Sequence, residues 1–316
     1  MKKILVTGAF GQIGSELVPA LQKKFGDDQV VAMGHERIGQ NFKGIIEKAD
    51  IRDKESILSI VKKYDVGEIY HLVSLLSVGG EKDPKVTWEI NVGGLKNILE
   101  LGVEFGLKIF WPSSIAAFGP TTPRNNTPQE TILEPTTMYG VTKVTGENLC
   151  RYFNIKYGLD VRSVRYPGII SWKTPPSAGT TEYTVAMLYD GVQGKGNTCW
   201  LGPDTMLPMM YVNDAIKATV DLMDTPVLKI KLRGSYNLAA VSFTAKQWEE
   251  AIGKHIPDLK VSYKPDERQK IADSWPKTID DSKARADWGW EHEYDLEKMT
   301  KEMVDNLQRK LTSKAV

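Results

Sequence analysis

Ile4-Leu5-Val6-Thr7-Gly8-Ala9-Phe10-Gly11-Gln12-Ile13-Gly14 decides the fold. Its first three residues are apolar and partly β-branched, the composition of a strand buried on both faces of a parallel sheet. Three glycines spaced GxxGxxG follow. From Gly11 to Phe25, residues Ile13, Leu17, Ala20, Leu21 and Phe25 recur at three- and four-residue steps, which predicts a helix. A strand that feeds a glycine turn opening a helix is the setting in which such glycines bind a dinucleotide. Gly8 permits the tight turn, Gly11 lets the backbone approach a pyrophosphate, and Gly14 lets helix pack on strand. The helix N-terminus adds unpaired N–H groups and the positive end of its dipole. Gln12 and Ile13, inside the turn, complete the expected phosphate cradle.

Beyond this stretch, strand and helix alternate. Strands are expected at Val30–Met33, Glu68–Val73, Lys108–Trp111 and Val161–Arg165. Helices are expected at Lys54–Tyr64, Pro84–Phe105 and Tyr139–Tyr157. This alternation predicts an α/β protein with a doubly wound parallel sheet, a Rossmann fold, over residues 1–170. After Gly168 the pattern changes. Ser171 to Thr181 reads as a loop. Helices follow near Thr181–Gly191, Asp214–Met223 and Ala245–His255, the last capped by Thr244. A strand is expected at Ser235–Leu238 and a charged helix from Leu296. Residues 171–316 read as a smaller substrate-binding lobe that partly crosses back to the sheet. A ligand belongs at the carboxyl ends of the strands, between the lobes.

Composition narrows the function. Among 316 residues, 41 Lys and Arg balance 40 Asp and Glu, with no long run of one sign. That balance argues against a nucleic-acid footprint or a membrane-surface patch. No uncharged run approaches the ~20 residues that span a bilayer. The N-terminus runs straight into a strand pattern without a signal peptide, so a cytoplasmic protein is expected. Cys150 and Cys199 are too few for a disulfide framework and read as buried free thiols. No metal is expected.

Three further signals carry chemistry. A carboxylate after the second strand commonly bonds the adenosine ribose of NAD and repels the phosphate of NADP. Here Gly34 stands at that position, Glu36 comes two residues late, and Arg37 would attract a phosphate; the glycine turn itself holds no Arg or Lys. NAD is the expected cofactor. Asp50 and Ile51 suit a contact to the adenine, although Asp50 is also readable as a surface acid. Tyr139-Gly140-Val141-Thr142-Lys143 places a phenol and an ammonium on one helix face. The ammonium is expected to lower the phenol's pKa from ~10, making a general base. Alone, this spacing also fits an amphipathic tyrosine and a surface lysine. Its partner is Ser114, where the fourth strand ends. Ser113 reads as a turn residue bonding its own backbone, and Arg165, inside a strand, as a structural ion-pair partner.

Together these residues resemble the extended short-chain dehydrogenase/reductase superfamily, which includes nucleotide-sugar epimerases. The glycine motif, Asp50, His71-Leu72, Asn91, Ser114, Tyr139/Lys143 and Arg165-Tyr166-Pro167-Gly168 fall in the family's order over essentially the whole chain. Within it the chain is similar to the short-chain L-threonine 3-dehydrogenases, through Pro112–Pro120, Arg165–Ser171, Gly179–Tyr183, Leu207–Tyr211 and Ile271–Pro276 with Asp280–Arg285. Glu182 departs from an expected Asp.

The resemblance implies NAD-dependent oxidation of the β-hydroxyl of L-threonine to 2-amino-3-oxobutanoate. Tyr139 would be the base, Lys143 and Ser114 its support. Leu72, Tyr166, Pro167 and Ile169 would line the cofactor, and Asn91 would be structural within its helix. Ser77 and Thr181 would contact the amino and carboxyl groups, and Trp275 would wall the pocket. Ser77 and Thr181 are equally readable as loop residues bonding their own backbone, and Trp275 as plain core. A homodimer packed through the helices of Asn91 and Tyr139 is also implied. Two other readings remain: a nucleotide-sugar epimerase or dehydratase, and a non-catalytic cofactor-sensing module. The compact loop from Ala178 to Glu182 suits a small zwitterion better than a diphosphate, and retention of the Tyr–Lys pair argues against the module.

Overall fold

The structure, a computed structural model, describes residues 2–36, 38–39, 43–177 and 179–312. The strands are β1 (Lys3–Thr7), β2 (Val30–Gly34), β3 (Ile45–Lys48), β4 (Val66–His71), β5 (Lys108–Phe110), β6 (Ser113–Ser114), β7 (Val161–Tyr166), β8 (Gly168–Ile170), β9 (Asn197–Cys199), β10 (Met206–Tyr211), β11 (Ser235–Asn237), β12 (Val241–Thr244) and β13 (Val261–Tyr263). The main sheet runs β3-β2-β1-β4-β5-β7-β11, with β6 added on β7, and its neighbours pair in parallel.

Successive residues of one strand feed opposite faces. Ile4, Val6 and Ala32 join one apolar cluster with the helices Gly14–Phe25 and Val212–Asp224; Leu5, Val31 and Met33 join the other with Lys54–Lys63, Gly94–Phe105 and Met138–Tyr157. Helices on both faces make the doubly wound fold expected from the alternation. Between β1 and β4 the strand order reverses, the point at which doubly wound sheets take a ligand in the crevice outside their carboxyl ends.

Several boundaries differ from the sequence reading. The long helix is not one regular α-helix. Pro84–Trp88 and Gly94–Phe105 are joined by a π-helical stretch, Glu89–Gly93, and Asn91 lies in that stretch. β3 escapes the sequence because Ile45–Lys48 is a half-exposed edge strand without a buried face. β10 escapes because Pro208 breaks its donor pattern, yet the strand lies between β12 and β8. β11, expected as Ser235–Leu238, crosses back to lie beside β7. Both cysteines are buried free thiols.

Candidate active site

The glycine turn sits at the β1–β4 crevice. Gly8 has φ 71°, and a side chain on Gly14 would place its Cβ 2.3 Å from the Gly8 carbonyl oxygen. That approach requires glycine and seats the Gly14–Phe25 helix directly on the turn. No side chain caps the helix at Ile13; the Ser15 and Glu16 N–H groups donate to the Gly11 and Ile13 carbonyls, and the positive end of the helix dipole lies at the glycine turn. Gln12 Nε2 reaches across to the Ile169 carbonyl at 3.5 Å, tying the turn to β8. Below it, Thr7 and His71 are register partners of β1 and β4, with Oγ1 and Nδ1 2.7 Å apart. The buried His71 imidazole is held down to about 3, mainly by desolvation and further by Lys143. It is neutral at physiological pH. The Leu72 N–H donates to the Thr7 carbonyl.

Asp50 follows β3 and is held at about 2 by Arg52, which grips it through side chain and backbone; His35 Nε2 lies 3.7 Å away. Asp50 is therefore an ionised acid at the rim of the crevice. Ile51 is buried against Gly94. Arg37 lies outside the described residues, as does Ala178 of the loop ending at Glu182.

Thr137 starts the next functional helix, its hydroxyl accepting the Gly140 N–H at 3.1 Å. Gly140 is there for proximity: a Cβ would fall 2.2 Å from the Ala116 carbonyl oxygen. The helix thus lies hard against the segment after β6, which brings Tyr139 to Ser114. Ser114 lies close enough to the phenol to act on it electrostatically, while its hydroxyl accepts the Ala116 N–H at 3.2 Å. Lys143 is buried, donates from Nζ to the Pro112 carbonyl at 2.7 Å, and stands 4.7 Å from the Trp111 ring centre and 5.3 Å from that of Tyr139.

The structure overturns one electrostatic expectation. Desolvation pushes the Tyr139 phenol up to about 12, against the lowering effect of Ser114. Burial pushes Lys143 down to about 7. The buried ammonium lies by the tyrosine ring and donates to a carbonyl oxygen rather than to the phenol oxygen, and Tyr139 is itself half-buried. Spacing along a helix reveals neither fact.

Ser113 is a second correction. It does not serve its own backbone; its hydroxyl donates to Glu147 Oε1 at 2.5 Å. Glu147 also takes two bonds from Arg165, at 2.9 and 2.8 Å, so Arg165 is the structural ion-pair partner expected. Asn91 accepts the Leu75 N–H and donates to the Leu75 carbonyl and Thr142 Oγ1, bracing the π-helical stretch against the Tyr139 helix. Sequence reasoning assigned no role to Thr7 or Glu147. Glu147 was visible in principle, one further four-residue step beyond Lys143.

On the substrate side, Ser77 is buried and opens a short helix, Ser77–Lys82, rather than lying in a loop. That helix packs near Tyr139 through Gly80. Thr181 lies in a 3-10 turn, Thr180–Glu182, with its methyl against Gly168. Its carbonyl accepts the Thr184 hydroxyl at 3.0 Å. Pro167 is buried beside it. Tyr166 turns its phenol away from the crevice to Thr219 and Ala215, leaving its backbone nearest the site. Trp275 belongs to the large core, and its carbonyl accepts from Arg124 Nε at 3.0 Å.

The residues present fit a dinucleotide: an uncapped helix start over a glycine turn, an ionised acid at the rim, and a buried lysine beside a phenol and a hydroxyl. Among the described residues no cluster of three His, Cys, Asp or Glu could hold a metal, and no helix is long and apolar enough to cross a membrane.

Comparison with known proteins gives the same frame. The model of the NAD dependent epimerase/dehydratase family matches residues 4–239. An L-threonine dehydrogenase from Cupriavidus necator, in its holo form, superimposes with a TM-score of 0.95 at 48% identity, over 96% of this chain and 99% of that one. A monomeric L-threonine 3-dehydrogenase from a metagenome superimposes at 0.94 with 47% identity, over 97% and 99%. In sequence, an uncharacterized epimerase/dehydratase of Staphylococcus saprophyticus is 45% identical over 314 residues, 98% of each chain.

Proposed function

This chain belongs to the NAD dependent epimerase/dehydratase family, and on that premise we propose that it oxidises the β-hydroxyl of L-threonine to 2-amino-3-oxobutanoate. It is an NAD-dependent enzyme of the dehydrogenase type. The observation that carries the substrate is the near-complete superposition on a threonine dehydrogenase at 48% identity, with Ser114 beside the Tyr139 phenol.

Gly8, Gly11, Gln12, Ile13 and Gly14 hold the pyrophosphate, and Asp50 and Ile51 flank the adenosine. Leu72, Pro167, Ile169 and the backbone of Tyr166 line the nicotinamide end. Bound NAD supplies the electron-poor ring that accepts the electron pair leaving the β-carbon. Ser114 and Tyr139 bond the β-hydroxyl and fix its orientation, and Tyr139 takes its proton. Lys143 orients the ribose and adds positive charge near the phenol. Ser77 and Thr181 receive the amino and carboxyl groups, and Trp275 closes the pocket. Residues 1–170 act as the cofactor domain and 171–316 as the substrate lobe. The exposed apolar side chains Trp88, Val103, Val141, Tyr152, Ile155 and Tyr157 give the two long helices the face of a homodimer, which light scattering on the purified protein tests.

Absorbance at the reduced-nicotinamide band tests the activity, with L-threonine and NAD, then NADP, then L-serine and 3-hydroxybutyrate, then UDP-glucose. Threonine with NAD is expected to be preferred. Turnover of UDP-glucose without threonine oxidation would place the chain among the nucleotide-sugar enzymes instead.

A further inference from the structure

The Met138–Tyr157 helix carries Tyr139, Lys143 and Glu147 at four-residue steps. The first two carry the phenol and a buried ammonium bonded to the Pro112 carbonyl. Glu147 faces the protein, is buried, and has every strong bond committed. Its Oε1 accepts Ser113 Oγ at 2.5 Å and Arg165 Nε at 2.9 Å; its Oε2 accepts Arg165 Nη2 at 2.8 Å. Arg165 Nη1 goes on to the Gln129 carbonyl at 3.1 Å and to Asn237 Oδ1 at 3.0 Å. Gln129 in turn takes the Asn237 N–H at 2.7 Å and donates to the Ser235 carbonyl at 2.9 Å. Three chain segments meet at this carboxylate, the helix, β6 and β7, and Arg165 extends the network to β11 and the loop at Gln129.

β6 is only two residues long, Ser113 and Ser114, and pairs with β7 alone, Ser113 opposite Arg165. So short a strand has too few ladder bonds to fix its own position. Ser113 is anchored to the helix by Glu147, and Ser114, the next residue, lies beside Tyr139 on the same helix. Two adjacent residues of one strand therefore meet one helix at points two turns apart, Ser113 through a direct bond.

Resting on the reading of Tyr139 and Ser114 given above, we propose that Glu147 and Ser113 are positioning residues for this site: their bond, stiffened by the Arg165 pair, sets where β6 lies along the helix and hence how closely Ser114 approaches Tyr139. A buried, bidentate, charge-neutralised clamp suits this task, since it has a single low-energy arrangement and breaking it leaves an unpaired charge. Misplacing a catalytic hydroxyl by about 1 Å costs up to about a hundredfold in rate.

Ser113→Ala removes the Glu147 bond and leaves the Arg165 pair intact, so the fold is retained. The test places 3-fluorotyrosine at position 139 and follows its fluorine resonance in the NAD-saturated protein, in wild type, Ser113→Ala, Ser114→Ala and the double variant. Ser113→Ala is expected to move the resonance in the direction of Ser114→Ala, and the double variant to coincide with Ser114→Ala. In threonine turnover, Ser113→Ala is expected to lower kcat about tenfold with the KM for NAD held within about twofold, and to add nothing in the Ser114→Ala background. A Ser113→Ala resonance at the wild-type position, or effects that add in the double variant, would overturn the proposal. The fluorine measurement needs no substrate. Failure of wild type to oxidise threonine would defeat the functional reading and leave the clamp to be decided by the resonance.

Discussion

Lys143→Met turns the electrostatics of the site into a stability measurement. Burial holds Lys143 at about 7, against the ordinary 10.5 of an exposed lysine. Between those two values the unfolded chain binds one more proton than the folded one, so stability rises with pH across the window. Below pH 7 both states are protonated, and the full cost of burying the ammonium, about 5 kcal/mol, is present. It is relieved progressively as pH climbs towards 10.5. From pH 6 to pH 9 the wild-type protein gains on the order of 3 kcal/mol from this one group. Methionine fills a similar volume without a charge and forfeits the 2.7 Å bond to the Pro112 carbonyl, a loss of about 1 kcal/mol. The variant is thus expected to be more stable than wild type at pH 6, and the gap to shrink by roughly 3 kcal/mol at pH 9. Urea unfolding without NAD, followed by tryptophan fluorescence at pH 6, 7.5 and 9, measures the gap at constant m-value. A difference that does not vary with pH, or a variant less stable than wild type at pH 6, would refute the picture of a lysine kept in the protein at the expense of stability.

Tyr139→Phe is expected to lower kcat by roughly a thousandfold, within the range of general-base catalysis, while NAD still quenches protein fluorescence; full turnover in the variant would remove the phenol from the mechanism. Because the phenol is held up at about 12 with only Ser114 pulling it down, activity that needs its ionised form should climb with pH through the neutral and mildly alkaline range, and a rate flat from pH 7 to 9 would count against it. Gly14→Ala should abolish NAD binding, since its Cβ would sit 2.3 Å from the Gly8 oxygen and push helix and turn apart; calorimetric titration reads this directly. Glu147→Gln leaves the Arg165 guanidinium buried beside a neutral amide, with an expected loss of about 3 kcal/mol in urea unfolding; an unchanged midpoint would show that the pair contributes nothing.

The sequence by itself determined the sheet and its cofactor turn. An apolar run with β-branched residues has few folds open to it, and glycines at positions 8, 11 and 14 between strand and helix leave room for a phosphate and little else. The four-residue step from Tyr139 to Lys143 is likewise a helical fact, independent of tertiary context. Only the tertiary structure decided how those groups behave. Whether a phenol is raised or lowered depends on water and on where the ammonium's protons point. Here burial outweighs proximity, because Nζ is spent on the Pro112 carbonyl. Ser113 and Glu147 lie far apart in the chain, and no local pattern ties them; they meet because β6 is laid against the helix at the place Gly140 allows. β10 stays hidden for a related reason: Pro208 removes a backbone donor, and only the two strands already in place beside β10 make that tolerable. Local sequence sets what each segment can become. The pKa values and the reach of each hydroxyl are collective, set by the low-dielectric packing of segments distant in the chain.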